Sequence, residues 1–225
     1  MDLSRRNLTI GAAAVIVAGG VGYYLWSSRS GELPELKSAP PAKIPVKDLL
    51  QAGPLPDMAM GSADAPVTIV EYASLTCPHC RHFEETTFPE LKKRYIDTGK
   101  VRYIFREYVL NDVDLLAITI ARCADKSAYF PFIETLYQKQ EQWAVDNPVA
   151  PLLALSKQAG FTEEKFNQCA SNQQLINSID AQRQRAADAY GVHSTPTFFV
   201  NGERLVGALS LADMEKAIQR YLPGG

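Results

Sequence analysis

The sequence lacks most of the features on which familiar activities depend. Its 23 Lys and Arg stand against 25 Asp and Glu, for a formal charge of −2. No excess positive field is available to hold a phosphate backbone, so nucleic acid is not an expected partner. There are three histidines and no second Cys-x-x-Cys, which leaves no tetrahedral zinc set. A Gly-rich phosphate loop, a Gly-x-Ser-x-Gly elbow and a His-Glu-x-x-His helix are all missing, so nucleotide, serine-hydrolase and zinc-protease chemistry have no support. Beyond Trp26 there is no long apolar run, which excludes a multi-span membrane protein. Four cysteines in 225 residues are too few for a disulfide-stapled miniature scaffold. What remains, 46% apolar and 21% charged residues, is the balance of a folded protein with a sizeable core.

Residues 1 to 30 read as an export segment or an uncleaved N-terminal anchor. Arg5 and Arg6 precede a charge-free run of 17 residues from Ile10 to Trp26, at the short end of what spans a bilayer. Ser4-Arg5-Arg6-Asn7-Leu8 resembles the twin-arginine export signal, although paired arginines also precede general secretory signals and anchors. The remainder of the chain is then expected in the periplasm, an oxidising space where disulfides form and persist. From 31 to 57, six of the 14 prolines fall within 27 residues. That composition reads as an extended linker, with Val46 to Gln51 docking on the domain that follows.

The domain is expected over 58–222. Pro66 to Ala73 is a β-branched, apolar run suited to a central strand. Ser74-Leu75-Thr76 closes it, and Cys77-Pro78-His79-Cys80 follows, with Pro78 just inside a helix start. Pro89 should restart that helix, since a proline removes a backbone donor. Lys100 to Tyr108 reads as a second strand. From about 112 to 190 the apolar spacing is helical, ending at Gly191. Thr197 to Val200, Asn201-Gly202 and Glu203 to Val206 predict a hairpin, because Asn-Gly supplies the positive φ angles of a type I′ turn. Leu211 to Tyr221 predicts a closing helix. The fold class is α/β: a thioredoxin-like sheet with a helical domain inserted between its βαβ and ββα halves.

With Cys77-Pro78-His79-Cys80 at a strand-to-helix junction and Ser194-Thr195-Pro196-Thr197 opening a distant strand, residues 57 to 222 resemble the DsbA family of bacterial thiol:disulfide oxidoreductases. The resemblance implies a cis Pro196 lying against the Cys77-Cys80 pair, with Thr195 offering backbone bonds to a bound peptide. It implies no cofactor beyond the redox-active Cys77-Cys80 disulfide, and no metal. It also implies reduced or unfolded exported proteins as substrates and a membrane, quinone-linked reoxidant of the DsbB type. The absence of a long dimerisation helix ahead of the domain points to a monomer.

The chemistry follows from the residues themselves. A cysteine at a helix N-terminus has free N–H groups and the positive dipole end at its sulfur, which favours thiolate over thiol. Pro78 adds no donor, whereas His79 is placed to offer positive charge or a hydrogen bond. A stabilised thiolate stabilises the reduced form, so the disulfide is a stronger oxidant. Cys80, one turn further, is expected to be more buried and to act as the resolving thiol. Glu71 lies six positions before Cys77 in an otherwise apolar strand, where a carboxylate is costly unless used. The resemblance puts the family's buried acid there, with the expected role of exchanging a proton with Cys80; the alternative is a solvated glutamate at a strand end.

Cys123 and Cys169 lie 46 residues apart in the helical block. The preferred reading is a structural disulfide, since an exported protein has no need of two spare thiols; two separate buried thiols are the alternative. His82 and His193 carry no assigned role, and Trp143, Phe130, Phe132 and Tyr137 read as core. The main functional reading is a protein-disulfide oxidase. The alternatives are a disulfide reductase or isomerase, and a non-catalytic peptide-binding or chaperone module whose cysteines are structural.

Overall fold

A computed structural model describes residues 43–223. The segment expected to be an export signal or anchor and the first part of the Pro-rich stretch lie outside the described residues. In chain order the elements are α1 (Val46–Leu49), β1 (Met58–Met60), β2 (Val67–Ala73), α2 (Pro78–Thr86), α3 (Phe88–Leu91) running into a π-helical turn (Lys92–Ile96), and β3 (Val101–Glu107). There follow α4 (Asp112–Arg122), α5 (Tyr129–Gln138), α6 (Gln140–Trp143), α7 (Val149–Gln158), α8 (Glu163–Ala170) and α9 (Gln173–Tyr190). The chain closes with β4 (Thr197–Val200), β5 (Glu203–Val206) and α10 (Leu211–Gln219).

The five strands form one sheet in the order β1-β3-β2-β4-β5. β2 and β3 are parallel, and the other neighbouring pairs are antiparallel. β2 is central and buried on both faces, which is why its sequence is a near-continuous apolar run rather than an alternation. Its pleat sends Val67, Ile69 and Ala73 into a core shared with α2 and the inserted helices. Val70 and Tyr72 face the opposite core, with Ile44, Leu49, Ala186 and Tyr190. The helical block α4 to α9 fills the chain between β3 and β4, which is the expected insertion.

Two features depart from the sequence reading. β1 is a three-residue edge strand at the start of the domain, too short to register as a periodic pattern. The Pro-rich stretch from Lys43 to Asp57 is laid onto the body over its whole described length. Arg106 forks onto the Asp57 carboxylate at 2.7 and 3.0 Å and donates to the Leu49 carbonyl at 2.7 Å. Arg122 donates to the Pro56 carbonyl at 2.7 Å, and Arg185 to the carbonyls of Ala52 and Gln51. Three arginines thus supply donors that a proline-rich strap cannot supply to itself.

The Asn201-Gly202 turn takes φ values of 44° and 89° and joins Val200 directly to Glu203 in register, as the hairpin signal requires. A side chain at Gly202 would meet the Ile44 carbonyl, whose own N–H donates to the Gly202 carbonyl at 2.8 Å. The strap therefore enters at the end of β4 away from Pro196. Cys123 and Cys169 are bonded, joining the C-terminal end of α4 to that of α8. Among the described residues no helix is long and apolar enough to cross a membrane.

Candidate active site

The site lies where β2 ends. Ser74, Leu75 and Thr76 leave the sheet, and Cys77 becomes the N-cap of α2, in an extended conformation with φ −80° and ψ 121°. Pro78 takes the first helical position, where a missing N–H costs nothing. The first helical bond runs from the Arg81 N–H to the Cys77 carbonyl at 3.1 Å. Cys77 and Cys80 are both free thiols in this structure, so it represents the dithiol form.

The Thr195–Pro196 peptide bond is cis, and Pro196 is buried while Thr195 is half-buried. The Thr195 carbonyl accepts the Cys77 thiol at 3.4 Å. The distant Thr-Pro segment and the Cys-x-x-Cys therefore meet across 118 residues of chain.

The two thiols are driven apart electrostatically. The Cys77 thiol is lowered to about 5, first by the hydrogen bond from the Cys80 thiol and then by the Thr195 side chain and the backbone N–H groups of Cys80 and His79. Desolvation opposes these donors and loses. Cys80, only 1% exposed, is pushed well above the ordinary thiol value by burial, by its bond to Cys77 and by the charge of Glu71. At neutral pH the pair is one thiolate and one thiol, with the charge on Cys77.

Glu71 lies on the same face of β2 as Ala73, paired in register with Phe105 on β3 and Phe198 on β4. It is 2% exposed, and burial raises its carboxyl to about 8. The hydroxyl of Tyr103 donates to the carboxylate and pulls the value down, while the Cys77 charge pushes it up. Glu71 is thus predominantly protonated at neutral pH, within electrostatic reach of both thiols.

The His79 side chain is exposed, and its backbone N–H supports the Cys77 thiolate. Pro78, His82 and His193 are likewise exposed. Trp143, Phe132 and Tyr137 are core.

Several residues of the site carry no local sequence signal. Tyr103 is one, a strand tyrosine whose hydroxyl finds Glu71. Glu84 is another, a half-buried carboxyl on α2 held well above its ordinary value by desolvation and by the charges of Glu71 and Glu134. Asp114, Tyr137 and Gln140 come from three different inserted helices and reach the loop that precedes Cys77. Only long-range geometry brings them there. Among the described residues no cluster of His, Cys, Asp and Glu could hold a metal ion.

The comparisons with known proteins agree with this arrangement. The thioredoxin family model matches residues 55–220. A Rickettsia prowazekii protein, named provisionally as a protein-disulfide oxidoreductase, is 36% identical over 168 residues, covering 74% of this chain and 61% of that protein. The crystal structure of alpha-DsbA1 from Wolbachia pipientis superposes with a TM-score of 0.71 at 30% identity, covering 77% of this chain and 94% of that one. Oxidised BdbD from Bacillus subtilis shares the fold, with a TM-score of 0.65 at 22% identity over 73% of this chain and 92% of that one. A Cys-x-x-Cys at the strand-to-helix junction, the cis Thr195–Pro196 bond beside it, the helical insertion and this match over most of the domain place the chain in the DsbA family of the thioredoxin superfamily.

Proposed function

We propose that this chain is a protein-disulfide oxidase that transfers the Cys77–Cys80 disulfide to reduced exported proteins. The observation that carries the reading is the opposed environment of the two sulfurs: Cys77 lowered to about 5 at a helix N-terminus, Cys80 raised in the core. A low thiolate pKa stabilises the dithiol product, which makes the disulfide a good oxidant and Cys77 a good leaving group.

The steps balance as follows. A substrate thiolate attacks the Cys77 sulfur of the enzyme disulfide, the S–S bond breaks and Cys80 leaves as a thiolate. Because the Cys80 pKa is high, that thiolate takes a proton, and the proposed donor is the protonated Glu71 carboxyl, the buried acid coupled electrostatically to Cys80. A second substrate thiolate then attacks the substrate sulfur bonded to Cys77, and Cys77 departs as a stabilised thiolate. The substrate has lost two electrons and gained a disulfide, and the enzyme holds the dithiol. Thr195 and Pro196, beside Cys77, are the proposed contact for the substrate backbone. No cofactor enters beyond the cysteine pair. Return to the disulfide requires an electron acceptor, proposed to be a membrane, quinone-linked protein of the DsbB type.

The proposed compartment is the periplasm. Arg5 and Arg6 ahead of the Ile10 to Trp26 run support export, with the twin-arginine route as the proposed path. The mass of the exported form tests whether that segment is cleaved or kept as an anchor.

The activity is tested by Cys77→Ser and Cys80→Ser in an assay of disulfide formation in a reduced, unfolded substrate. Cys77→Ser is expected to abolish oxidation, and Cys80→Ser, given a disulfide-bonded substrate for its Cys77 thiolate to attack, to hold mixed disulfides through Cys77 on a non-reducing gel. Full retention of activity by Cys77→Ser would make the chain a binding module with structural cysteines.

A further inference from the structure

The loop between β2 and α2 is buried as it leaves the sheet, with Ser74 and Leu75 both fully inaccessible. Backbone N–H and C=O groups in such a place must find partners, and here the sheet has ended and the helix has not begun. The partners are side chains of the helical insertion. From α4, the Asp114 carboxylate accepts the Leu75 N–H at 2.8 Å and, with its other oxygen, the Leu110 N–H at 2.9 Å. From α5, the Tyr137 hydroxyl donates to the Ser74 carbonyl at 3.2 Å. From α6, the Gln140 amide donates to the Leu75 carbonyl at 2.7 Å and to the Cys77 carbonyl at 3.2 Å. All three side chains are buried. Asn111, the N-cap of α4, adds a bond to the Thr76 hydroxyl at 3.1 Å.

We propose that Asp114, Tyr137 and Gln140 are positioning residues through which the helical insertion sets the redox preference of the Cys77–Cys80 pair. The inference rests on the oxidase reading and names what tunes it. Buried polar side chains are costly unless bonded, and Gln140 places both of its donor bonds on the loop. The Cys77 carbonyl thereby receives two donors, the Arg81 N–H and the Gln140 amide. Together they fix the Cys77–Pro78 peptide plane and the direction in which the cysteine side chain leaves the backbone.

That direction matters because Pro78 has no N–H. The thiolate depends on the N–H groups of His79 and Cys80 and on Thr195, all of which act over a short range. The disulfide carries no charge and is held covalently to Cys80. A clamp that aligns Cys77 with its donors therefore favours the reduced, ionised form over the oxidised one. A clamp that merely packed the loop would favour both forms equally.

The test uses the full chain in mild detergent, as wild type, Gln140→Met and Asp114→Asn. Gln140→Met keeps a long side chain and removes both donors. Three quantities are read: the Cys77 titration from thiolate ultraviolet absorbance, the equilibrium of the Cys77–Cys80 couple with glutathione, and the melting temperature of the oxidised form. The expected result is a Cys77 titration moved to higher pH and an equilibrium shifted toward the enzyme disulfide by about fivefold for each hydrogen bond lost. An unchanged titration and glutathione equilibrium, with or without a lower melting temperature, would overturn the proposal and leave the three side chains as packing alone. Should Gln140→Met fail to fold, Tyr137→Phe removes one oxygen while keeping the ring, and the same readouts decide. A reducing wild type would overturn the oxidase reading, while the difference between wild type and variant would still report on the clamp.

Discussion

Glu71→Gln separates a carboxyl that is buried for use from one that is merely tolerated. The Glu71 carboxyl has an ordinary value of 4.5 and is raised to about 8 in the fold. The folded protein therefore holds this proton more tightly than the unfolded chain. The sign follows: its contribution to stability is full below about pH 4.5 and is lost as the pH rises towards 8. Each pH unit in that window removes about 1.4 kcal/mol, so by pH 7 the wild type has given up on the order of 3 kcal/mol. Glutamine does not titrate, and its carbonyl still accepts the Tyr103 hydroxyl, although its NH₂ group lacks a partner at a roughly constant cost of about 1 kcal/mol or more. The prediction is therefore a slope and not an offset. The stability of Glu71→Gln minus that of wild type should climb steadily from pH 4.5 to 8. Urea unfolding of both dithiol proteins at stepped pH measures it, and groups whose titration does not depend on the Glu71 charge, such as Asp114, titrate in both and cancel. In the disulfide form the climb should be smaller, because the Cys77 thiolate no longer repels Glu71. A difference that stays flat across this range would refute the burial argument. The same variant should slow disulfide transfer by removing the acid proposed for Cys80.

The remaining predictions concern the scaffold. Breaking the Cys123–Cys169 bond by a double alanine substitution opens a loop spanning 46 residues and should cost roughly 4 kcal/mol in denaturant unfolding; no loss of stability would mean that the bond does not form in the protein in solution. Arg122→Met strips the partner from Glu107, which is fully buried and also bonded to Tyr129 and Gln182. The expected cost is about 3–5 kcal/mol, together with faster proteolysis of the strap held at Pro56. A neutral effect would contradict the expected cost of leaving the Glu107 carboxylate buried without its guanidinium partner.

The fold was legible because its strongest signals are local. The β-branched run at Val67 to Ala73, the Asn201-Gly202 turn and the helical spacing up to Gly191 each fix an element within a few residues. Glu71 stood out for the same reason, as a charge in an apolar strand. Of the strap only Val46 to Gln51 was legible as docked chain; the rest was not, because it is held largely by guanidinium groups gripping backbone carbonyls, as Arg122 does at Pro56 and Arg185 at Ala52, and a carbonyl has no sequence signature. β1 was missed because three residues hold too little alternation to see. The His79 backbone N–H that supports the Cys77 thiolate left no trace in the sequence, because any residue there except proline would offer it. Asp114, Tyr137 and Gln140 look like ordinary helix residues until the insertion folds back over the loop.

The central claim is that this fold stabilises the Cys77 thiolate and so makes the pair an oxidant. Its most direct test is the equilibrium potential of the Cys77–Cys80 couple in the full chain, poised with glutathione and read on the Cys77 peptide by differential alkylation and mass spectrometry. The superfamily scale runs from about −270 mV for a reductant to about −120 mV for a strong oxidant, and about 30 mV corresponds to a tenfold change. A potential near the oxidising end is predicted. A value near the reducing end would contradict the oxidase account and make the protein a reductase.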